Sequence, residues 1–190
     1  LGTLSIGAFQ LNVTKGANVS DNGAGLTFGT TTLTTPGPAV FDVASGVNLT
    51  LGAVGGAFSF TKQSSGQLTL NTTSTRTTSA GGTTLSGGTL RLGAANALNT
   101  ATTTPPLNLN GGTLSLGLDT GSQIGGAGVV TVGGTAIVQL DRNTAGAGGT
   151  NLFNQISIGN QAVYLTNGPN VTSGVSGLTL NQSSGALTLT

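Results

Sequence analysis

The amino-acid sequence predicts an all-β protein in which short parallel strands stack turn upon turn as a β-solenoid. Large apolar residues alternate with Thr and Ser over short runs, which is the period of a strand with one buried face. Glycine, a poor helix former that makes turns at low steric cost, supplies 34 of the 190 residues. The phrase GGTLRLG at 87–93 also returns as GGTLSLG at 111–117, which indicates a structural repeat.

Each predicted strand places two large apolar side chains on one face and a small polar or charged side chain between them. Gly, Asn or Ser brackets nearly every strand, as expected for tight turns. Helical spacing is absent, except that GAANAL at 93–98 could form a single turn. The predicted strands include 26–28, 47–51, 58–60, 67–70, 89–92, 107–109, 113–116, 130–132, 136–140, 156–158, 178–180 and 187–189.

The spacing of these strands favours a solenoid over a β-sandwich. A sandwich would also give a strand roughly every 8–12 residues, but it would not repeat the phrase itself. A second echo, QSSGQLTL at 63–70 and QSSGALTL at 182–189, supports repetition. Coils of about 19–24 residues are expected from the spacing of the first apolar residues of the clearest phrases, which are Leu26, Leu49, Leu68, Leu90, Leu114 and Ile137.

The whole chain, 1–190, is expected to form a single β-solenoid domain of about eight or nine coils, a rod about 40 Å long. The repeats are clearest over 41–142. The segments 1–40 and 143–190 are more divergent and are interpreted as terminal or assembly segments. The chain begins Leu1-Gly2-Thr3-Leu4 rather than with Met, so we expect a processed product or a segment of a longer protein.

Composition narrows the classes of function. Charged residues make up only 5% of the chain, against roughly 25% in an ordinary soluble domain. With a net charge of +1 and no basic patch, nucleic-acid binding is not expected. Disorder is disfavoured because the mean hydropathy is +0.22 and apolar residues recur in ordered pairs. No run of about 18 apolar residues occurs, so we expect no membrane insertion by this segment.

Residues 59–100, SFTKQSSGQLTLNTTSTRTTSAGGTTLSGGTLRLGAANALNT, resemble the autotransporter-associated β-strand repeat. The resemblance covers 41–117 and extends more weakly to about residue 142. It implies a right-handed parallel β-helix, as in an autotransporter passenger, in a protein that is secreted or displayed on a bacterial cell surface. Two stretches depart from the family pattern, SSGQ at 64–67 and STRTTSAGG at 74–82. The matching residues are Thr61-Lys62, Gly66, 68–70, 81–84, 87–90 and Leu92-Gly93.

The sequence offers little with which to build an active site. His and Cys are absent and the only acidic residues are four Asp, so the common nucleophile–base pairs are missing. Asp141-Arg142 is the only adjacent charged pair, and it is either a catalytic carboxylate or a structural, solvated pair. The glycine-rich stretch at 125–134 lacks the Lys and the following helix of a phosphate-binding loop. We expect no enzyme activity, and we assign no catalytic, cofactor-binding or metal-binding residues.

Outward-facing positions are the remaining candidates for recognition. Tyr164 is the one aromatic residue expected at the surface. Five phenylalanine residues are expected in the core, and they are Phe28, Phe41, Phe58, Phe60 and Phe153. The outward row is predicted to be Thr69, Arg91, Ser115, Thr131 and Thr179. Because Arg91 interrupts this row, the regular threonine lattice of an ice-binding surface is disfavoured.

The sequence therefore predicts an extracellular or cell-surface structural protein that forms fibres or appendages by subunit stacking or strand exchange. A role of these fibres in adhesion is an open alternative. Both termini, 1–11 and 178–190, read as strands with almost no charge, and uncovered strand edges recruit further strands. We therefore expect the chain to form a homo-oligomer or a filament. Surface glycans are candidate ligands. The alternatives are a polysaccharide-binding or -degrading β-helix module and a spacer segment of a larger autotransporter adhesin.

Overall fold

A computed structural model describes residues 1–20, 23–76, 81–98, 106–119, 129–153 and 155–180. In this part of the chain the fold is all-β, with no helix. Parallel sheets stack as a β-solenoid of about six turns, which confirms the predicted fold class. The echo of the repeat at 182–189 lies outside the described residues.

The strands are short because each ends at a corner of the solenoid, where the backbone turns into the next face. Most carry the expected alternation of buried and more exposed residues. In chain order they are β1 (Leu4–Ile6), β2 (Gln10–Val13), β3 (Ala24–Phe28), β4 (Thr31–Leu33), β5 (Ala39–Val43), β6 (Val47–Leu51), β7 (Val54–Gly55), β8 (Phe60–Gln63), β9 (Gln67–Leu70), β10 (Thr83–Leu85), β11 (Thr89–Leu92), β12 (Leu107–Leu109), β13 (Thr113–Gly117), β14 (Val129–Val132), β15 (Ala136–Asp141), β16 (Gly146–Ala147), β17 (Thr150–Phe153), β18 (Gln155–Ser157), β19 (Val163–Asn167), β20 (Val171–Ser173) and β21 (Gly177–Leu180).

Three parallel sheets form the faces of the solenoid. The short sheet contains β1, β4 and β7, and it flanks only the first three turns of the described chain. Two longer sheets run through the successive turns of the described residues. The first has the order β2-β5-β8-β10-β12-β14-β18 and the second has the order β3-β6-β9-β11-β13-β15-β19. The last turns add two strand pairs, β16 with β20 and β17 with β21.

The repeated phrase is one rung of this ladder seen in two successive turns. Leu90 pairs with Leu114 and Leu92 pairs with Leu116, as the sequence predicts. Stacking like residues buries each of them between its neighbours, and this forms continuous apolar columns. The two columns of the second long sheet are almost fully buried, and they consist of Leu49, Leu68, Leu90, Leu114 and Val138 and of Leu51, Leu70, Leu92, Leu116 and Leu140.

The paired glycines mark the same corner in both copies of the phrase. Gly88 has φ 67° and Gly112 has φ 77°, the left-handed region that glycine adopts without a Cβ clash. The two corners stack directly, since Thr113 N donates to Gly88 O at 2.8 Å. This corner redirects the chain from the first long sheet into the second.

Two quantitative expectations are wrong. Leu114 pairs with Val138 and not with Ile137, because burial of Val138 and Leu140 leaves Ile137 facing outward by strand parity. The solenoid also has about six turns instead of eight or nine. Its end turns are longer than 24 residues, as shown by Leu11 pairing with Phe41 and Val138 with Leu165.

Candidate functional site

The outer face of the second long sheet carries the main charged cluster of the described chain. The guanidinium of Arg91 donates to Asp141 Oδ2 at 2.6 Å and to Ser115 Oγ at 3.2 Å. It also donates to the backbone oxygen of Arg142 at 2.7 Å. The second oxygen of Asp141 accepts the backbone N–H of Asn170 at 3.0 Å. One arginine therefore ties together the turns that contain β11, β13 and β15.

The local sequence leaves room for this arginine. Gly117 lies opposite Asp141 in the ladder, and a Cβ on Gly117 would overlap the Arg91 guanidinium. Gly93 O accepts a hydrogen bond from Asn143 Nδ2 at 2.7 Å on the same side of the sheet. The missing side chain at Gly117 is what leaves space for the Arg91 guanidinium.

Asp119 extends the cluster at its exposed side. Its Oδ1 accepts the backbone N–H groups of Asn143 and Thr144, each at 2.9 Å. The pKa of the Asp119 carboxyl is held below its usual range, and the hydrogen bond from Thr144 makes the largest contribution. The hydrogen bond from Asn143 and the positive charge of Arg142 lower the pKa further. The carboxylate thus fixes the loop that follows β15.

The geometry places the predicted pair Asp141-Arg142 in a structural network. Asp141 pairs with Arg91, while Arg142 Nε approaches Asp119 at 3.8 Å and donates to Thr144 O at 3.1 Å. Both oxygens of Asp141 are engaged and its side chain is buried. Within the ranges that the structure describes, no three His, Cys, Asp or Glu side chains lie close enough together to hold a metal ion.

Sequence reasoning missed a lysine inside the core. Lys62 is fully buried and stacks in an apolar column between Phe41 and Leu85. Its ammonium donates to Gln63 O and Ser64 O, each at 2.7 Å, and to Gly87 O at 3.2 Å. Burial lowers the pKa of the Lys62 ammonium to about 8, an effect that the Asp42 carboxylate partly opposes. Lys62 matches the repeat pattern, but the pattern does not indicate which way the side chain points.

We expect the free energy of unfolding to rise between about pH 8 and pH 10. In this window Lys62 is largely neutral when folded, with a pKa of about 8, and charged when unfolded, with a pKa near 10.5. The unfolded chain therefore binds the extra proton, so rising pH relieves a penalty that is fully present below pH 8. The full relief is at most about 3 kcal/mol, measured by chemical denaturation at steps across the window.

The matched control is Lys62→Met, which keeps the length of the side chain without the ammonium. Its free energy of unfolding is expected to stay nearly flat over the same window, because the pKa of Arg76, lowered by burial to about 10, lies at its upper end. A rise of equal size in the Lys62→Met variant would assign the effect to another group.

A second buried cation lies in the stretch that departs from the repeat pattern. Arg76 is 1% exposed, and its guanidinium carbon lies 5.7 Å from the centre of the Phe60 ring. Its N–H groups donate to Phe58 O at 3.0 Å, to Leu98 O at 3.3 Å and to Gly81 O. The feature of the sequence that could have indicated this buried cation is that Arg76 is the single charged residue in its segment.

The outward row of the second long sheet is partly as predicted. Thr69, Arg91 and Ser115 lie opposite one another in successive turns. Thr131 and Thr179 do not belong to this row, because Thr131 lies in β14 of the first long sheet and Thr179 in β21. The row observed along the second long sheet consists of Thr27, Thr50, Thr69, Arg91, Ser115, Gln139 and Thr166.

The aromatic residues follow the prediction in most cases. Phe41, Phe60 and Phe153 are buried, and the Phe41 and Phe60 rings meet edge to face with centroids 5.7 Å apart. Phe28 and Phe58 are half-buried against the core, and Tyr164 is exposed. Phe9, for which the sequence makes no prediction of burial, is exposed near the amino-terminal end.

An open polar depression of about 420 Å³ lies beside the corner between the two long sheets. Its lining is neutral and offers hydroxyl and amide groups. The polar residues that line it are Ser45, Asn48, Ser65, Gln67 and Thr89. Thr69 Oγ1 donates to Asn48 Oδ1 at 3.0 Å, which holds one of these amides in place.

The described chain places the end strands of the second long sheet differently: the amino terminus bonds along β3, where Leu1 N donates to Thr27 O at 2.7 Å and Gly29 N donates to Gly2 O at 2.8 Å, while no described strand lies beyond β19. The second long sheet ends with β3 at the amino-terminal end and with β19 at the carboxy-terminal end. Leu165 of β19 stands in line with the buried Val138, yet it is 55% exposed because no further described turn covers it. Val175, near the same end, is 85% exposed.

No family model matches the chain, and no match was found among curated proteins or among solved structures. In the described ranges, no helix is long and apolar enough to cross a membrane. The architecture is a β-solenoid of about six turns, which is compatible with a β-helix repeat protein.

Proposed function

We propose that this chain is a structural β-solenoid that assembles end to end into fibres on or outside a bacterial cell. The observation that carries the proposal is that, in the described part of the chain, one continuous sheet ends with β3 at one end and with β19 at the other, where Leu165 is 55% exposed. The secreted or cell-surface location, a role in adhesion and the autotransporter class belong to the same proposal. They rest on the resemblance of 59–100 to the autotransporter-associated repeat.

The chemistry of both edges favours pairing with another strand. Natural proteins protect exposed edges with charges, Pro or bulges. The sequences of β3, AGLTF, and β19, VYLTN, contain no charged residue and no Pro. Covering Leu165 at a joint would also remove apolar surface from water, which contributes about 2 kcal/mol for a leucine side chain.

The assembly is tested by light scattering over a range of chain concentrations. The wild-type chain is expected to gain mass with concentration. Leu165→Lys places a charge in the joint and is expected to raise the concentration needed for growth by about tenfold or more, since 1.4 kcal/mol corresponds to a factor of ten.

The matched control is Ile137→Lys, which introduces the same charge at an outward aliphatic residue one turn inside the end. This variant is expected to assemble like the wild-type chain. Equal behaviour of the two lysine variants, or a wild-type chain that stays monomeric at every concentration, would contradict the proposal.

A second candidate function is a polysaccharide-binding module. The observation that favours it is the neutral depression lined by hydroxyl and amide groups beside Asn48 and Gln67. A glycan array is the test, and Asn48→Ala with Gln67→Ala should abolish any binding that occurs there. In the further alternative of a spacer in a larger adhesin, the edges would pair with neighbouring repeats of the same chain, and the full-length gene would reveal those repeats.

A further inference from the structure

We propose that the depression beside Asn48 and Gln67 binds two adjacent ring hydroxyls of a neutral glycan, and that Thr69 is the positioning residue that sets this preference. The inference rests on the second candidate function, polysaccharide binding, and does not depend on end-to-end assembly. It adds the chemical class of the ligand, the two amide atoms that bind it and the residue that orients them.

The depression is built from three successive corners between the two long sheets. The described residues that line it are 45–48, 65–67 and Thr89, and no charged side chain is among them. Gly66 N donates to Val43 O at 2.8 Å, and Thr89 N donates to Gly66 O at 3.1 Å, so backbone hydrogen bonds join the three corners. The ladder of the solenoid therefore fixes the walls, and a ligand meets a preformed site.

A short chain of hydrogen bonds orients the two amides of this site. Gln67 Nε2 donates to Thr69 Oγ1 at 3.0 Å, and Thr69 Oγ1 donates to Asn48 Oδ1 at 3.0 Å. The Thr69 hydroxyl carries a single proton, so it accepts from one amide and donates to the other. This order leaves Asn48 Nδ2 as a donor and Gln67 Oε1 as an acceptor for a ligand.

The donor and the acceptor lie side by side on the outward face. Asn48 and Gln67 are opposite one another in the ladder between β6 and β9, and neighbouring strands are about 4.8 Å apart. A hydroxyl group both donates and accepts a hydrogen bond. Two adjacent ring hydroxyls would accept from Asn48 Nδ2 and donate to Gln67 Oε1 at the same time. The hydroxyls of Ser45, Ser65 and Thr89 add further groups of this mixed kind.

Glycans whose hydroxyls are substituted fit this pair less well. An ether, sulfate ester or phosphate ester at the same position accepts hydrogen bonds but donates none. It would leave Gln67 Oε1 without a donor, and an ionised ester would also bring a negative charge beside that oxygen. The mixed pair therefore favours free hydroxyls over groups that only accept.

Two cations in the turns around the depression are already engaged. Lys62 is fully buried, and its ammonium donates to Ser64 O at 2.7 Å and to Gly87 O at 3.2 Å. Arg91, in β11, pairs with Asp141 at 2.6 Å. Neither cation is placed to attract an anionic glycan into the depression.

Matched hexasaccharides test the preference. The probes are β-1,4-linked hexamers of glucose and of mannose, each with free hydroxyls at ring positions 2 and 3 or with those hydroxyls O-methylated or O-sulfated. In NMR titrations of the wild-type chain, at least one free hexamer is expected to bind about tenfold or more tightly than its substituted forms, because each substitution removes a hydrogen bond to the site.

Asn48→Ala removes the donor of the pair and is expected to weaken binding of the free hexamer by about tenfold. The matched control is Asn108→Ala, which changes a half-buried, outward asparagine of β12 in the first long sheet. This control is expected to bind within about twofold of the wild-type chain. Equal losses in the two variants would overturn the assigned site.

The role of Thr69 is tested by two substitutions. Thr69→Val keeps the branched shape but removes the hydroxyl, so the amides of Asn48 and Gln67 are free to turn over. We expect this variant to bind the free hexamer about fivefold more weakly and to lose the preference over the O-sulfated form. Thr69→Ser retains the hydroxyl and is expected to keep both. A preference that survives in Thr69→Val would overturn the positioning role.

The outcome for this preference is separable from the outcomes for the proposed functions. Substituted hexamers that bind as tightly as the free ones would retain polysaccharide binding and overturn this inference. If none of the probes binds, both the inference and the second candidate function are removed. Light scattering of the unliganded chain reports on end-to-end assembly independently of either result.

Discussion

Replacing Arg76 by alanine is expected to lower the free energy of unfolding by about 3–5 kcal/mol. The change removes the donors for the carbonyl oxygens of Phe58, Gly81 and Leu98, and it leaves a cavity beside the Phe60 ring. Buried carbonyls without a donor cost about 1–3 kcal/mol each when nothing replaces the lost partner. Chemical denaturation measures the loss, which is a large share of the 5–15 kcal/mol typical of a domain.

Arg142→Ala is the matched control for this prediction. Arg142 is half-buried on the outer side of the solenoid, where it donates to Thr144 O and Ala147 O. Interactions of a charged group that stays in contact with solvent contribute about 0–1 kcal/mol. If Arg76→Ala costs no more than Arg142→Ala, then Arg76 is not the buried support described for this part of the solenoid.

The change Gly88→Ala is expected to destabilise the chain by several kcal/mol, because it affects the stacked corner directly. Gly88 has φ 67°, and a Cβ there would overlap the carbonyl oxygens of Ser64 and Gly66 and come within 2.8 Å of Lys62 Nζ. Backbone atoms of the preceding turn cannot move aside without breaking the ladder. The melting temperature and the denaturation midpoint should both fall.

The neighbouring Gly87→Ala provides the control within the same dipeptide. A Cβ on Gly87 would meet its nearest atom at 3.7 Å, an ordinary contact. Its effect is expected to stay within about 0.5 kcal/mol. Equal losses for the two alanine variants would show that the corner at Gly88 does not have this conformation.

The repeating part of the fold was predictable because its determinants are local. Strand parity in GGTLRLG and GGTLSLG assigns Leu90, Leu92, Leu114 and Leu116 to the core, and the structure places them there in register. The register beyond this point was harder to predict, because a spacing of 23 to Ile137 fits the repeat as well as a spacing of 24 to Val138. Leu114 pairs with Val138 because this register buries the side chains of both residues. A count of residue spacing contains no information about burial.

The buried cations and the charged cluster were not predictable in the same way. Lys62 lies in β8 (Phe60–Gln63), whereas the sequence predicts a strand at 58–60, and its buried ammonium depends on carbonyl oxygens at the corner and in the next turn. Arg91 finds Asp141 at a distance of 50 residues in sequence. Such contacts depend on how the turns stack, and no local pattern in the chain encodes them.

Cryo-electron microscopy of the wild-type chain, prepared over a range of concentrations, tests the central claim most directly. End-to-end assembly through β3 and β19 predicts filaments one solenoid wide that lengthen with concentration and show an axial spacing of about 4.8 Å. Particles that keep the length of one chain at every concentration would contradict it.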